Sequence, residues 1–190
     1  MKTTIKMAML MLATSFSLGA MAQGKMGNEK SVMVGGAEMY PSKNIIQNAM
    51  NSKDHTTLVA AVKAAGLVET LEGKGPFTVF APTNAAFDKL PAGTVDNLLK
   101  PENKAKLAGI LTYHVIAGKF DSKAIMAAIK KNGGKVSMKT VEGGSLTFKM
   151  NGKNLEVYDE NGGHATVTTA DVYQSNGVIH VVDSVLLPKM

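Results

Sequence analysis

The hydrophobic period of this chain changes at Gly133-Gly134, and that change constrains the fold more than any single motif. Before it, apolar residues recur at helical spacing. Leu58, Val59, Val62 and Ala65 precede Gly66, Leu107, Ile110 and Leu111 follow Pro101, and Ile125 and Ile129 lie in the run from Asp121 to Lys131. Each set places an apolar stripe on one helix face, with Pro at a first helical position or Gly past a last one. After the change, β-rich runs at 135–141, 145–150, 154–158, 164–172 and 177–187 are separated by Gly-Gly, Asn-Gly and Asn-Gly-Gly. Asn151-Gly152 signals a hairpin, because a type I′ turn needs positive φ at both central residues. Helices first and a meander of strands afterwards predict an α+β fold with an antiparallel sheet.

One strand interrupts the helical half. Phe77-Thr78-Val79-Phe80, between Pro76 and Pro82, is β-branched and aromatic and reads as a short buried strand. Thr83 then offers an N-cap for a helix through Phe87 and Leu90, stopped by Pro91-Ala92-Gly93. Upstream, Ser42 is placed to cap a helix through Asn51, and Leu67, Val68 and Leu71 predict a short helical turn closed by Gly73. Residues 23–41, with Gly35-Gly36 and Pro41 as breakers, read as a mobile or loosely docked lead-in to a single domain over 42–188.

The first 22 residues carry Lys2 and Lys6, an apolar run from Met7 to Leu18, and the A-x-A pattern Ala20-Met21-Ala22. This is the layout of a Sec-type signal peptide cleaved before Gln23, and the apolar run is short for a membrane anchor, which needs roughly 20 residues. Export to the periplasm or the extracellular space is expected, with no stable membrane insertion. The chain has no Cys, so disulfides, thiolate metal sites and Cys nucleophiles are excluded and stability must come from packing. The formal net charge is +6 and falls when Lys2 and Lys6 leave with the leader. Every basic residue is Lys, and Arg and Trp are absent. A chain without the bidentate fork of Arg or the stacking platform of Trp is poorly equipped for nucleic acid, so no nucleic-acid partner is expected. Attraction to acidic polysaccharides or anionic surfaces stays open beside a purely solubilising role for Lys.

His55, His114, His164 and His180 are the histidines, and none is spaced like the H-E-x-x-H pair. His114 follows Leu107, Ile110 and Leu111 on one helical face and reads as a hydrogen-bonded core residue, as does His180, which alternates with Val178 and Val182. Ser137, Ser145, Ser175 and Ser184 lie outside any G-x-S-x-G elbow, and phosphate-cradling patterns are missing. No catalytic residue, cofactor or metal site is expected.

Two segments look like the paired signatures of the fasciclin domain family. They are Gly75-Pro76-Phe77-Thr78-Val79-Phe80-Ala81-Pro82-Thr83-Asn84-Ala85-Ala86-Phe87 and Asn176-Gly177-Val178-Ile179-His180-Val181-Val182-Asp183-Ser184-Val185-Leu186-Leu187-Pro188. Between them, Leu111-Thr112-Tyr113-His114-Val115-Ile116 resembles the family's Tyr-His element. The resemblance implies a wedge of β-sheets packed with several α-helices and a secreted or surface-attached adhesion module rather than an enzyme. Its partner would be a protein or polysaccharide of a cell surface or matrix. It also transfers candidate partner-binding positions, Tyr113 and His114 with Asp171 and Val172, where Val stands for the family's Ile. Tyr113 is expected to pack its ring while its hydroxyl meets water or a partner, forming one contact patch with Asp171. The alternative is that Tyr113 closes the core edge and Asp171 ends a strand. A small-ligand or polysaccharide binder is the second functional reading, an exported hydrolase the third, and oligomeric state stays open.

Overall fold

The computed structural model describes residues 30–189, so the leader over 1–22 and the expected cleavage site lie outside the described residues. Strands β1 (Val32–Val34) and β2 (Ala37–Met39) form an antiparallel hairpin, and helices α1 (Ile45–Ala49), α2 (Thr56–Ala65) and α3 (Val68–Glu72) follow. Then come β3 (Phe77–Pro82), α4 (Asn84–Asp88), α5 (Thr94–Leu98), α6 (Lys104–Tyr113), β4 (Val115–Ala117) and α7 (Ser122–Lys131). The meander closes the chain as β5 (Lys135–Lys139), β6 (Ser145–Asn151), β7 (Asn154–Tyr158), β8 (His164–Gln174) and β9 (Gly177–Val182). Seven of these strands make one sheet in the order β4-β3-β9-β8-β7-β6-β5.

The α+β class holds, but the sheet is mixed. β3 pairs with β9 in parallel, from Phe77 beside Gly177 to Pro82 beside Val182. The expectation of an antiparallel sheet failed because β3 enters from the helical half of the chain and docks against the last strand. This puts the two resembling signatures side by side at the sheet centre. Both strands are covered on both faces, as parallel pairs demand. Val79, Ala81, Ile179 and Val181 face a core shared with α1, α2, α3 and α6, while Phe80 and Val182 face a second core with Ile125 and Ile129 of α7 and Leu146, Phe148 and Val157 of the meander.

The helix ends follow from side-chain chemistry. Asn44, not Ser42, caps α1, because its side chain accepts from Gln47 N while the Gln47 side chain accepts from Asn44 N, a capping box. Gly66 ends α2 in the left-handed conformation. Thr83 caps α4 as expected, although that helix stops at Asp88. The stop read at Pro91-Ala92-Gly93 hid α5, which starts directly after Gly93, and Pro101 opens a 3-10 turn that precedes α6. Asp121 caps α7 by accepting from Ala124 N at 2.7 Å. The lead-in reading over 23–41 also needs correction from residue 32 onward. Val34 and Met39 are buried in the helical core, and Lys53 N donates to Gly35 O, so the hairpin is part of the domain.

The parallel junction is tight. A Cβ at Gly177 would lie 2.1 Å from the Phe77 carbonyl oxygen, and one at Gly75, which holds φ of 55°, would lie 2.2 Å from that of Asn176. Backbone meets backbone there and cannot yield like a flexible side chain. Gly177→Ala is therefore expected to cost about 3 kcal/mol or more, at the upper end of overpacking effects. Gly109, inside α6 with open space at its Cβ position, gives the opposite expectation, and Gly109→Ala should gain about 0.5–1 kcal/mol. Urea unfolding of both variants checks the pair.

Candidate functional site

The residues singled out by the resemblance end up in four different surroundings. Tyr113, the last residue of α6, is fully buried in the second core. Its hydroxyl donates to Ser145 O at 2.8 Å and accepts from Glu160 N at 3.2 Å, tying α6 to the start of β6 and to the β7–β8 turn. Burial, ahead of the neighbouring carboxylates, pushes its pKa up to about 12. The expected outward hydroxyl is thus corrected: the sheet curls over the helix end and supplies backbone partners.

His114 follows as the C-cap of α6 and is 3% exposed. Its Nε2 accepts from Leu186 N at 3.0 Å, so the ring proton sits on Nδ1 and is donated to Ile110 O at 2.8 Å. Both nitrogens are consumed by backbone, and burial lowers the pKa to about 4. Val172 is fully buried in the helical core. Asp171 is half-buried, with φ of 60° at an irregularity in the β8–β9 ladder. Its Oδ1 accepts from Ser122 N at 2.6 Å and its Oδ2 from Ser122 Oγ at 2.5 Å. Its own N–H donates to Nδ1 of His180 at 3.3 Å. Tyr113 and Asp171 share no hydrogen-bond partner: the first is tied to Ser145 and Glu160, the second to Ser122 and His180.

These side chains hold connections instead. His180 is fully buried, donates from Nε2 to Phe120 O at 2.9 Å and stacks on Phe80 with centroids 5.4 Å apart. Thr78 Oγ1 donates to Gly118 O and accepts from Phe120 N. Together with Asp171 they clamp the link between β4 and α7. Asn176 does the same for the helices, its Oδ1 accepting from Ile45 N and its Nδ2 donating to Leu71 O and Gly73 O. Asn84 of the first signature accepts from Thr57 N and donates to Lys53 O, fastening the entry to α2.

The outward face of the meander is where side chains remain available. In the β5–β6 register, Lys135 stands opposite Lys149, Ser137 opposite Thr147 and Lys139 opposite Ser145. Lys149 then faces Glu156 and Thr147 faces Tyr158, which in turn faces His164. Tyr158 is held as a rigid centre, with Lys149 Nζ 4.2 Å from its ring centroid, His164 stacked at 5.4 Å and its hydroxyl donating to Glu156 Oε2. Lys135 is thus opposite Lys149 in register, while the Lys149 ammonium turns the other way, onto Tyr158 and beside Glu156. The alternating run Lys135-Val136-Ser137-Met138-Lys139 showed one polar face in the sequence. The Lys–Lys juxtaposition was hidden because it depends on the register across the loop from Thr140 to Gly144. Among the described residues, no group of three or more His, Asp or Glu is arranged to hold a metal ion, and no helix is long and apolar enough to cross a membrane.

A sequence model described as the fasciclin domain matches residues 53–188. Protein sll1483 of Synechocystis sp. is 47% identical, with 100% of both chains covered. Immunogenic protein MPB70 of Mycobacterium bovis is 39% identical, covering 74% of this chain and 66% of that one. A fasciclin domain pair from the insect cell adhesion molecule Fasciclin I superposes with a TM-score of 0.68 at 19% identity, over 76% of this chain and 51% of that chain.

The histidine geometry fixes a pH dependence. His114 has a folded pKa below its unfolded value of roughly 6.5, so the unfolded chain takes up the proton first. The resulting stability is fully present above about pH 6.5 and is lost as pH falls toward 4. His180 is shifted in the same direction, chiefly by burial. Urea midpoints are expected to fall between pH 6.5 and 4, with His114 alone accounting for about 3 kcal/mol. His114→Gln, which cannot titrate, should flatten that slope even if its stability at pH 7 is lower.

Proposed function

The chain belongs to the fasciclin domain family, and from that premise we propose that it is an exported, non-catalytic adhesion module. Its contact surface is the outward face of β5 to β8, and its partner is an acidic protein or polysaccharide of a cell surface or matrix. The observation that carries this reading is the opposed pair Lys135 and Lys149, with Lys139 on the same face and the braced Tyr158 beside them. An anionic chain lying across the strands meets the ammonium groups of Lys135, Lys139 and Lys149 and the hydroxyls of Ser137 and Thr147. Glu156 keeps its charge, with Tyr158 and Asn151 donating to its oxygens, and it partly offsets Lys149, so Lys135 and Lys139 carry the net positive charge of the face.

Relatives support the adhesive part of the reading. A 38% identical relative in Mycobacterium bovis is named a cell surface glycolipoprotein, and the superposing insect protein is named a cell adhesion molecule. Export draws support from the leader-like residues 1–22. The non-catalytic part draws support from His114 and His180, whose ring nitrogens all serve the backbone. Lys on the edge strand β5 has a second use, since edge charges discourage pairing with other chains. The two uses separate by experiment.

Export predicts that mass spectrometry of the natural protein finds its N-terminus at Gln23, and a retained Met1 in a membrane fraction counts against it. For adhesion, residues 23–190 are expected to sediment with intact cells or isolated matrix, and less so as salt rises. Lys135→Glu with Lys149→Glu should weaken that binding about tenfold or more, since each Lys at an anionic surface contributes on the order of 1 kcal/mol. Lys106→Glu on α6 is the control. Equal binding by the folded double variant removes the meander face from the proposal, and absence of binding to any surface removes adhesion itself.

A further inference from the structure

We propose that the pocket between α7, the β6–β7 hairpin and β8 binds a free apolar α-amino acid of the size of valine or leucine. Its carboxylate meets Lys153 and Asn154, and its ammonium meets Ser122 and Thr168. The inference goes beyond adhesion and stands independently of it. Met150 and Leu155, which pair in register and line the pocket, alternate with Lys149 and Glu156 of the outward face, so the pocket lies on the other side of the meander.

The pocket has a volume of about 240 Å³ and owes its shape to β8. The ladder between β8 and β9 slips twice, between Val167 and Thr169 and again between Thr169 and Val172, and Asp171 has φ of 60°. In a regular strand Val167 and Ala170 would face opposite sides, yet both line the pocket. Bulges re-aim side chains in this way and recur beside active sites. α7 contributes Met126 and β6 contributes Met150, both half-buried, and Leu155 of β7 completes the apolar part of the lining. Thioether side chains are flexible and polarizable, and adapt to the shape of an apolar body.

The polar groups of the lining differ in what they have left to offer. Ser122 Oγ donates its one proton to Asp171 Oδ2, and Thr168 Oγ1 donates its own to Val181 O, so both hydroxyls present only lone pairs to an occupant. A ligand ammonium suits them, and the Asp171 carboxylate bonded to Ser122 favours a cation over a neutral donor. The hairpin offers the reverse. Lys153 is the one charged side chain in the lining, and neither its ammonium nor the Asn154 amide has a partner among the described residues, so both can donate to a carboxylate. Two heads of opposite charge with an apolar body between the walls describe a zwitterionic amino acid. At roughly 30 Å³ for each water-sized body, the space takes about eight heavy atoms, the number in valine. A peptide terminus carries only one of the two heads, so the free amino acid fits better.

The test follows side-chain methyls by NMR while L-valine and L-leucine are titrated into the isotope-labelled protein. Two probes each lack one head: 4-methylpentanoate has no ammonium, and 3-methylbutylamine has no carboxylate. Saturable shifts are expected at the methyls of Met126, Met150, Leu155, Val167 and Ala170, with either probe about tenfold or more weaker than leucine, the loss of one charge-assisted head. Lys153→Gln should weaken leucine by a similar factor and leave 3-methylbutylamine unchanged. Ser122→Ala should weaken leucine and leave 4-methylpentanoate unchanged, and Ala170→Leu, which fills the space, should abolish binding of all of them. Binding of either probe as tightly as leucine would overturn the proposal. So would shifts that rise linearly and spread over the whole protein, or unchanged leucine binding in Lys153→Gln. If Ser122→Ala does not fold, the probe series and Lys153→Gln decide.

Discussion

The parallel pairing of β3 with β9 is the constraint on which the rest of this fold depends. It joins strands separated by most of the domain, and it buries both on both faces, so each needs its own cover. The α1, α2, α3 and α6 helices supply one layer, and α7 with the curled meander supplies the other. Close approach explains the composition of the junction. Gly75 and Gly177 sit where any Cβ would collide with a carbonyl of the neighbouring strand, and the alternating Val, Ile and Phe side chains fill the space above and below.

A pair of doubly covered strands leaves connections that must be fastened without further sheet. The signatures, together with Asp171, do this with polar side chains, aimed mostly at backbone. Thr78, Asp171 and His180 fix the chain between β4 and α7, Asn176 fixes the ends of α1 and α3, and Asn84 fixes the approach to α2. Each bond contributes about 1 kcal/mol net, but removal of one partner leaves a buried group unsatisfied, which costs more. That asymmetry explains why polar residues in a motif can look like a binding site and yet serve the interior. Tyr113 and His114 are examples, for their polar atoms face Ser145, Glu160, Ile110 and Leu186 rather than solvent.

Recognition is left to surfaces the scaffold does not use. The meander projects beyond the doubly covered centre, so its outer face stays solvated and can carry Lys side chains at little packing cost. The cavity under α1 and α2 is the reverse case, walled almost wholly by apolar side chains.

Local chemistry determined much of this by sequence alone. Gly66, Thr83 and Asp121 mark helix ends through their own conformational and capping preferences, the alternation in 135–139 and 145–150 sets which side chains face out, and the signatures identify the family. What depended on distant contacts was not legible. The β1–β2 hairpin looked mobile because its value lies in burying Val34 and Met39 against helices that come later. A one-helix reading turns the Tyr113 hydroxyl outward, whereas its partners come from Ser145 of β6 and Glu160 of the β7–β8 turn. The Lys135–Lys149 pair required the strand register. Propensity and capping act within a few residues and can be read along the chain, whereas burial and hydrogen-bond satisfaction belong to the packed whole and are decided only when the chain has closed on itself.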